Sequence, residues 1–186
     1  MMRNLLTLLE DKSKPGDIEP VKLSYNDSAL SPVLGGASIK QHQKLWQGYC
    51  DRFNRKEGDN QFNYAGWLLH NLYFTQFRSP RTTNAPNGPI GNLINSKFKS
   101  WDNFQDKFQE EALKFQGSGW IYLARDGSIK TIVNHSVRQD ILILVDWWEH
   151  AYLPDYGSDK KRYLKSLWRI MDWNAINSRW AVPYRK

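Results

Sequence analysis

The chain has 186 residues, of which 14% are aromatic, enough for a well-packed interior in one generous domain or two small lobes. Its net charge of +7 could attract small anions or nucleic acid or could serve solubility, but its basic residues are scattered and form no nucleic-acid motif. The single cysteine, Cys50, excludes an internal disulfide and a cysteine-based metal site.

The sequence shows neither a membrane-spanning segment nor an export signal. No stretch approaches the ~20 apolar residues that a membrane helix needs. The start of the chain mixes Glu10 and Asp11 into its apolar residues, unlike a secretory signal. We therefore expect no membrane partner. The compartment stays open, with an intracellular location favoured because reducing conditions suit a lone cysteine.

The first 80 residues predict an N-terminal extension and then a helical lobe. Residues 1–22 hold a short apolar piece followed by a stretch with Pro and Gly that breaks it. Apolar side chains at helical spacing then predict one helix over 38–53 and a second from about 63 to 77. Residues 23–80 are thus expected to form a helical hairpin domain.

The second half predicts helices packed on a small sheet. Residues 78–89, rich in Pro, Asn and Thr, are typical of a linker. The remaining predicted elements are helices over 90–98 and 101–115, strands over 120–124, 129–134 and 141–145, and a helical region over 161–180. The predicted fold class is α+β: a helical hairpin domain followed by an α/β domain over 88–186 with a three-stranded antiparallel sheet.

The run Asp146-Trp147-Trp148-Glu149-His150 follows the predicted strand 141–145. A carboxylate and an imidazole four residues apart would share one face of a helix, a spacing at which two ligands hold one metal ion. A surface ion pair is the alternative that this spacing leaves open. The apolar strand and the two tryptophans favour a metal, because ionisable groups in an apolar wall need a partner.

The chain has only four histidines, His42, His70, His135 and His150. Any one of them could be an ordinary, hydrogen-bonded histidine. Two lie in the predicted helices of the first lobe, however, so one site between the lobes could combine them with Asp146 and His150. Three imidazoles and one carboxylate suit iron or manganese, and zinc stays open on ligand type alone.

Several segments match one protein family in order along the chain. They are Leu23-Ser24-Tyr25 with Ala29-Leu30-Ser31-Pro32, Phe62-Asn63 through Gly66 to His70 with Tyr73-Phe74, Gln116-Gly117-Ser118-Gly119-Trp120, the run 146–152, and Trp168 with the segment 173–180. Through them the chain resembles the iron/manganese superoxide dismutases over roughly residues 23–180.

The resemblance implies an enzyme that disproportionates superoxide to dioxygen and hydrogen peroxide, an antioxidant oxidoreductase. It implies one iron or manganese ion per chain, held between the two domains, with no other cofactor-binding residue. The metal ligands implied by the matching motifs are His42, His70, Asp146 and His150.

The resemblance also implies two residues that assist the reaction. Tyr49 matches the gateway tyrosine of the family, and Asn134-His135 resembles a turn whose imidazole reaches the solvent molecule at the metal. Gly66 would leave room for that imidazole. Trp120, Trp148 and Tyr122 are expected to wall the site.

The implied assembly is a homodimer through the Glu149–His150 region, in which Glu149 hydrogen-bonds the partner subunit's His150. The chain departs from the family near this region. Leu45 or Trp46 stands where the family often has a further histidine, not a metal ligand, near the substrate funnel, and Leu153 replaces a tyrosine. The connection over 54–62 is also short, which removes a surface used for tetramers.

Two other functions stay open at this stage. One is a non-catalytic, structural member of the fold in a larger assembly, like the superoxide-dismutase-like proteins of some mitochondrial ribosomes. The other, a zinc hydrolase, is disfavoured because the four ligands leave no evident general base. Partnership with nucleic acid or a larger assembly is not indicated by any motif.

Overall fold

The computed structural model describes residues 17–182. Within them the chain forms seven α-helices and three strands, with a turn of 3₁₀-helix at Trp168–Ile170. The helices are α1 (Gly36–Asn54), α2 (Asn60–Thr75), α3 (Gly88–Phe98), α4 (Trp101–Lys114), α5 (Glu149–Tyr156), α6 (Lys160–Leu167) and α7 (Trp173–Trp180), and the strands are β1 (Gly119–Ala124), β2 (Ile129–Val133) and β3 (Ile141–Asp146). None of these helices has the length and apolar character needed to cross a membrane.

Helices α1 and α2 pack against each other and form the predicted helical hairpin. The loop between them is short, and α2 begins at residue 60 instead of the predicted 63. The cause is Asp59, whose carboxylate accepts hydrogen bonds from the backbone N–H groups of Gln61 and Phe62 and so caps the helix earlier. Since α2 also packs against β3, most of its residues are buried.

The predicted three-stranded antiparallel sheet is confirmed, with strand order β2-β1-β3. Strands β1 and β3 are buried along their whole length, while β2 forms one edge. The β1–β2 turn is closed by a hydrogen bond from the Gly127 N–H to the Ala124 carbonyl, and Gly127 has a φ of +83°, which favours glycine. The α+β fold class predicted from the sequence is therefore correct.

The predicted helical region over 161–180 is interrupted. Met171 is extended and Asp172 caps α7 through the N–H groups of Asn174 and Ala175. The extended residue pairs with Phe77 as an isolated bridge. The interruption allows the C-terminal segment to bond to the chain that follows α2, which no local pattern in the sequence reveals.

The segment predicted as a linker, 78–89, is fixed along its first half. The Arg78 and Arg81 N–H groups donate to the carbonyls of Ile170 and Arg169. Asn84 donates from its side chain to the carbonyls of Trp168 and Met171. The segment is therefore a structural part of the second half of the molecule.

The predicted N-terminal extension lies mostly outside the described residues. Its residues 17–22 pack on the hairpin: Ile18 exchanges two hydrogen bonds with the Asn54 side chain, and the Trp67 indole donates to the Glu19 carbonyl at 2.7 Å. This part of the extension is consequently bound to α1 and α2 and does not stand apart from them.

Candidate metal centre

Four side chains from four elements converge at one point. His42 lies on α1, His70 on α2, Asp146 at the end of β3 and His150 on α5. One ligand atom from each lies within 4.8 Å of all the others. The Asp146 Oδ2 atom is 3.2 Å from the His42 Nε2, 3.3 Å from the His150 Nε2 and 3.8 Å from the His70 Nε2.

These four converging atoms make no hydrogen bond although they are buried. Their other atoms are held in place: the His70 Nδ1 lies 2.6 Å from the Gly66 carbonyl, and the Asp146 Oδ1 accepts from the Trp148 N–H at 2.8 Å. A carbonyl only accepts, so the His70 Nδ1 carries the proton and its Nε2 lone pair faces the cluster. Buried polar atoms without partners are costly, and a metal ion would satisfy all four.

The electrostatics of the cluster also suit a cation. Burial alone would raise the pKa of the Asp146 carboxyl, but the His150 and His42 imidazoles beside it lower that pKa well below its usual range. Burial lowers the pKa of His42 and lowers that of His70 further, aided in His70 by the neighbouring His42. The site therefore offers an ionised carboxylate and, at His42 and His70, neutral imidazoles, the forms that bind metals.

The prediction that Asp146 and His150 share one helical face is wrong. Asp146 is the last residue of β3, because the apolar run before it continues the sheet. Trp148 is extended and caps the helix that begins at Glu149. The two side chains still meet across the strand-to-helix turn, with the Asp146 Oδ2 3.3 Å from the His150 Nε2.

Two of the three predicted wall residues do line the site. The Trp120 ring lies edge-on to the His70 ring with centroids 5.0 Å apart. The Trp148 ring is stacked 5.9 Å from the His150 ring. These aromatic walls keep the cluster in a largely apolar setting.

Tyr122, the third predicted wall residue, is not part of the site. It lies on β1 and its hydroxyl donates to Asp140 at 3.3 Å, away from the four ligands. The sequence reasoning instead missed Tyr163, whose hydroxyl donates to the backbone carbonyl of Asp146 at 3.0 Å and lies 3.0 Å from the Tyr73 hydroxyl. The inward-facing pattern of α6 indicated that Tyr163 is buried, but no local signal connects it with Asp146.

His135 and Tyr49 are joined beside the cluster. The Trp120 indole N–H donates to the His135 Nδ1 at 3.1 Å, and the His135 Nε2 lies 2.8 Å from the Tyr49 hydroxyl. An indole only donates, so the neutral His135 carries its proton on Nε2 and donates to Tyr49. Burial lowers the pKa of His135 to about 4 and raises that of Tyr49 to about 12, so both are neutral at pH 7.

The expectation that Gly66 leaves room for His135 is wrong in its detail. A Cβ atom on Gly66 would lie 2.8 Å from the Cδ1 and 2.9 Å from the Cγ of Tyr49. The space is thus occupied by the Tyr49 ring. Gly66 allows Tyr49 to pack close to α2, and His135 reaches that tyrosine from the other side.

The comparisons with known proteins agree with this geometry. A family model for the C-terminal domain of iron/manganese superoxide dismutases matches residues 86–179. A manganese/iron superoxide dismutase of Porphyromonas gingivalis is 34% identical, and an iron superoxide dismutase of Bacteroides fragilis is 32% identical; each alignment covers 87% of this chain and 98% of the relative. An iron superoxide dismutase of Pyrobaculum aerophilum is 27% identical over 87% of this chain and 90% of its own length. With this similarity running through both halves of the molecule and a cluster of three histidines and one aspartate at its centre, the chain belongs to the iron/manganese superoxide dismutase family.

Proposed function

We propose that this chain disproportionates superoxide to dioxygen and hydrogen peroxide with one iron or manganese ion, held by His42, His70, Asp146 and His150. The observation that carries the proposal is the convergence of four buried ligand atoms that have no other partner. When bound, the ion supplies the one-electron exchange with superoxide. The relatives named as superoxide dismutases support the same reaction.

Tyr49 and His135 are proposed to serve the proton-consuming half of the reaction. Because the His135 Nε2 donates to the Tyr49 oxygen, the Tyr49 hydroxyl keeps its own proton free to donate towards the site. Trp120 holds the His135 ring in the required orientation. Tyr49 would thus contact substrate or solvent. His135, expected from the sequence to reach that solvent directly, has its two ring nitrogens bonded to Trp120 and Tyr49, so it would act through Tyr49 as a positioning residue.

Arg52 is proposed to attract the anionic substrate. Its guanidinium carbon lies 4.9 Å from the centroid of the Tyr49 ring, and its Nε donates to the Asn63 side chain at 3.1 Å. The side chain is exposed, so its charge acts at the surface beside Tyr49. A fixed positive charge there would raise the local concentration of superoxide.

We also propose a homodimer through the Glu149–His150 region. Glu149 is exposed and makes no hydrogen bond or ion pair within residues 17–182, so it is free to bond a partner. Leu45, three residues after His42, is 38% exposed, and Leu153, three residues after His150, is 44% exposed. Exposed apolar side chains beside an unpaired carboxylate are features of a protein interface.

The domain boundaries predicted from the sequence remain part of this proposal, with a hairpin domain over 23–80 and an α/β domain over 88–186. The packing of α1 on α2, and of α3, α4 and α7 around the sheet and one another, is consistent with that division. The ligands would then come two from each domain, which ties metal binding to their association.

The structural, non-catalytic alternative is disfavoured by the ligands themselves. A scaffold gains nothing from four buried polar atoms without partners, since each such atom costs stability when no metal is present. The similarity to superoxide dismutases extends over most of the chain, in both halves.

The test is metal analysis and a superoxide dismutation assay on the purified chain, on Asp146→Asn and on Asp140→Asn. The natural chain should hold about one ion per chain, as one four-ligand site requires, and be active. Asp146→Asn should lose both metal and activity. Asp140→Asn is the control, because its carboxylate pairs with Lys130 outside the site. A folded natural chain without metal or activity, or full activity in Asp146→Asn, would contradict the proposal.

A further inference from the structure

A second concave site lies between α4, α6 and the segment that follows α2. We call it the Trp101 cavity; its volume is about 530 Å³, and Trp101, Trp168, Lys165, Arg169, Thr82 and Thr83 are among the residues that line it. This volume lies within the ~300–1,000 Å³ typical of sites for small molecules. None of the four proposed metal ligands lines it, so the cavity is separate from the metal centre.

The walls of the Trp101 cavity are fixed by hydrogen bonds. Asn84 donates at 2.8 Å to the carbonyls of both Trp168 and Met171, and its own carbonyl accepts from the Trp173 indole at 3.3 Å. The Arg81 N–H donates to the Arg169 carbonyl at 3.0 Å. A cavity whose walls are held in this way loses little freedom when a ligand enters, which favours binding.

One part of the lining is aromatic. The Trp101 ring is partly exposed, stacks on Phe104 with centroids 5.4 Å apart and meets Trp168 edge-on at 5.3 Å. Trp168 is only 4% exposed and supports Trp101, so the Trp101 indole is the ring available to a flat ligand ring, at little entropic cost because it is held rigidly.

Another part of the lining carries two positive charges and, among the described residues, no carboxylate. Lys165 and Arg169 lie four residues apart, both are exposed, and within residues 17–182 neither forms an ion pair. The Arg169 Nε lies 3.5 Å from the Arg81 carbonyl, which orients the guanidinium and leaves its two terminal nitrogens free. No Asp or Glu occurs among the described residues of the lining.

Among the described residues, three lysines are held by carboxylates, unlike Lys165. Lys107, Lys114 and Lys130 each contact carboxylates at 2.5–3.2 Å. Two unpaired cations one turn apart present the donors that bind a phosphate group. The hydroxyls of Thr82 and Thr83, which make no hydrogen bond within the described residues, add neutral donors beside them.

We propose that the Trp101 cavity binds a nucleoside phosphate, with the base against Trp101 and the phosphate on Lys165 and Arg169. The volume of the cavity, its exposed aromatic ring and its two neighbouring cations together favour a nucleoside phosphate. A simple anion would contact only the cations, and an apolar ligand would contact only the aromatic ring. A free nucleotide and a nucleotide unit of single-stranded nucleic acid both have this combination of a base and a phosphate.

The experiment is isothermal titration calorimetry of the metal-loaded protein with AMP, adenosine, inorganic phosphate and a short single-stranded oligonucleotide. AMP should bind with a dissociation constant of about 1 mM or tighter. Adenosine and phosphate should each bind more weakly, because each keeps only half of the contacts. Tighter binding of the oligonucleotide than of AMP would identify nucleic acid as the source of the nucleotide, and the reverse would identify the free nucleotide.

Variants link binding to the cavity. Lys165→Ala and Arg169→Ala should each weaken AMP binding about tenfold or more, since each removes a charge-assisted hydrogen bond. Lys161→Ala is the matched control, because it removes one exposed lysine from the same helix outside the lining. Superoxide dismutation should be unchanged in all three, which also verifies folding. No AMP binding, equal losses in Lys161→Ala, or phosphate binding as tight as AMP binding would overturn the proposal.

Discussion

Replacement of Gly66 by alanine tests whether the close packing of Tyr49 on α2 positions the Tyr49–His135 pair. In an ordinary helix interior, Gly→Ala stabilises a protein by about 1 kcal/mol. Here the new Cβ would lie 2.8 Å from a Tyr49 ring atom, against 3.4 Å or more in ordinary contact. Overpacking of this kind costs about 1–3 kcal/mol, so Gly66→Ala should be destabilised by up to about 2 kcal/mol.

The same displacement should reduce activity. Tyr49 can relieve the contact only by moving its ring, and its hydroxyl is held at 2.8 Å from the His135 Nε2. Loss of such a supporting contact beside a metal typically lowers activity about 10–100-fold while the metal is retained. A dismutation assay normalised to metal content measures this effect.

Gly48→Ala is the matched control on α1. Its Cβ would meet only the end of the flexible Arg52 side chain, at 3.2 Å from Nη1, so this variant should be stabilised by up to about 1 kcal/mol. For a domain of this size, each kcal/mol shifts the melting temperature by about 2–4 °C, which thermal unfolding of the metal-loaded protein resolves. If Gly66→Ala melted at or above Gly48→Ala and kept full activity, the reasoning about Tyr49 would be refuted.

Three further variants test the proposed roles. His135→Ala should retain metal yet lose activity about 10–100-fold, measured by metal analysis and turnover. Glu149→Ala should weaken both the dimer and metal retention, because a two-fold interface loses each contact twice. Light scattering at micromolar concentration measures the weakening of the dimer. Arg52→Ala should lower the rate of dismutation at low ionic strength, with less effect at high salt, because screening already removes the attraction there.

Each of these expectations has a contrary result. Unchanged turnover in His135→Ala would remove its role beside Tyr49. A natural chain that is monomeric and fully active, with its metal retained, would overturn the proposed dimer through Glu149. Equal salt dependence before and after the loss of Arg52 would show that its charge does not guide the substrate.

The sequence predicted the ligands because their chemistry is carried by residue type and local motif. The chain has only four histidines, so few residues can supply an imidazole ligand. The motif that contains Asp146 and His150 follows directly after an apolar strand. The structure brings together the four residues named from the sequence, His42, His70, Asp146 and His150. The three strands and the helical hairpin were likewise predictable, since period and turn residues are local properties.

Element boundaries were less predictable because caps and pairing partners decide them. Asp59 starts α2 earlier than the apolar pattern indicates. The interruption of the C-terminal helices at Met171 follows from its pairing with Phe77, a contact between segments far apart in the chain. A local pattern contains no information on such a partner.

By itself, then, the sequence determined which residues are available for metal chemistry and in which kind of element most of them lie. Only the tertiary structure decided that Asp146 ends a strand while His150 lies in the first turn of a helix, that Tyr49 fills the space beside Gly66, and that Tyr163 supports the Asp146 backbone. These outcomes depend on which side chains approach across long separations in sequence. That approach is set by packing of the whole core, which no single segment specifies.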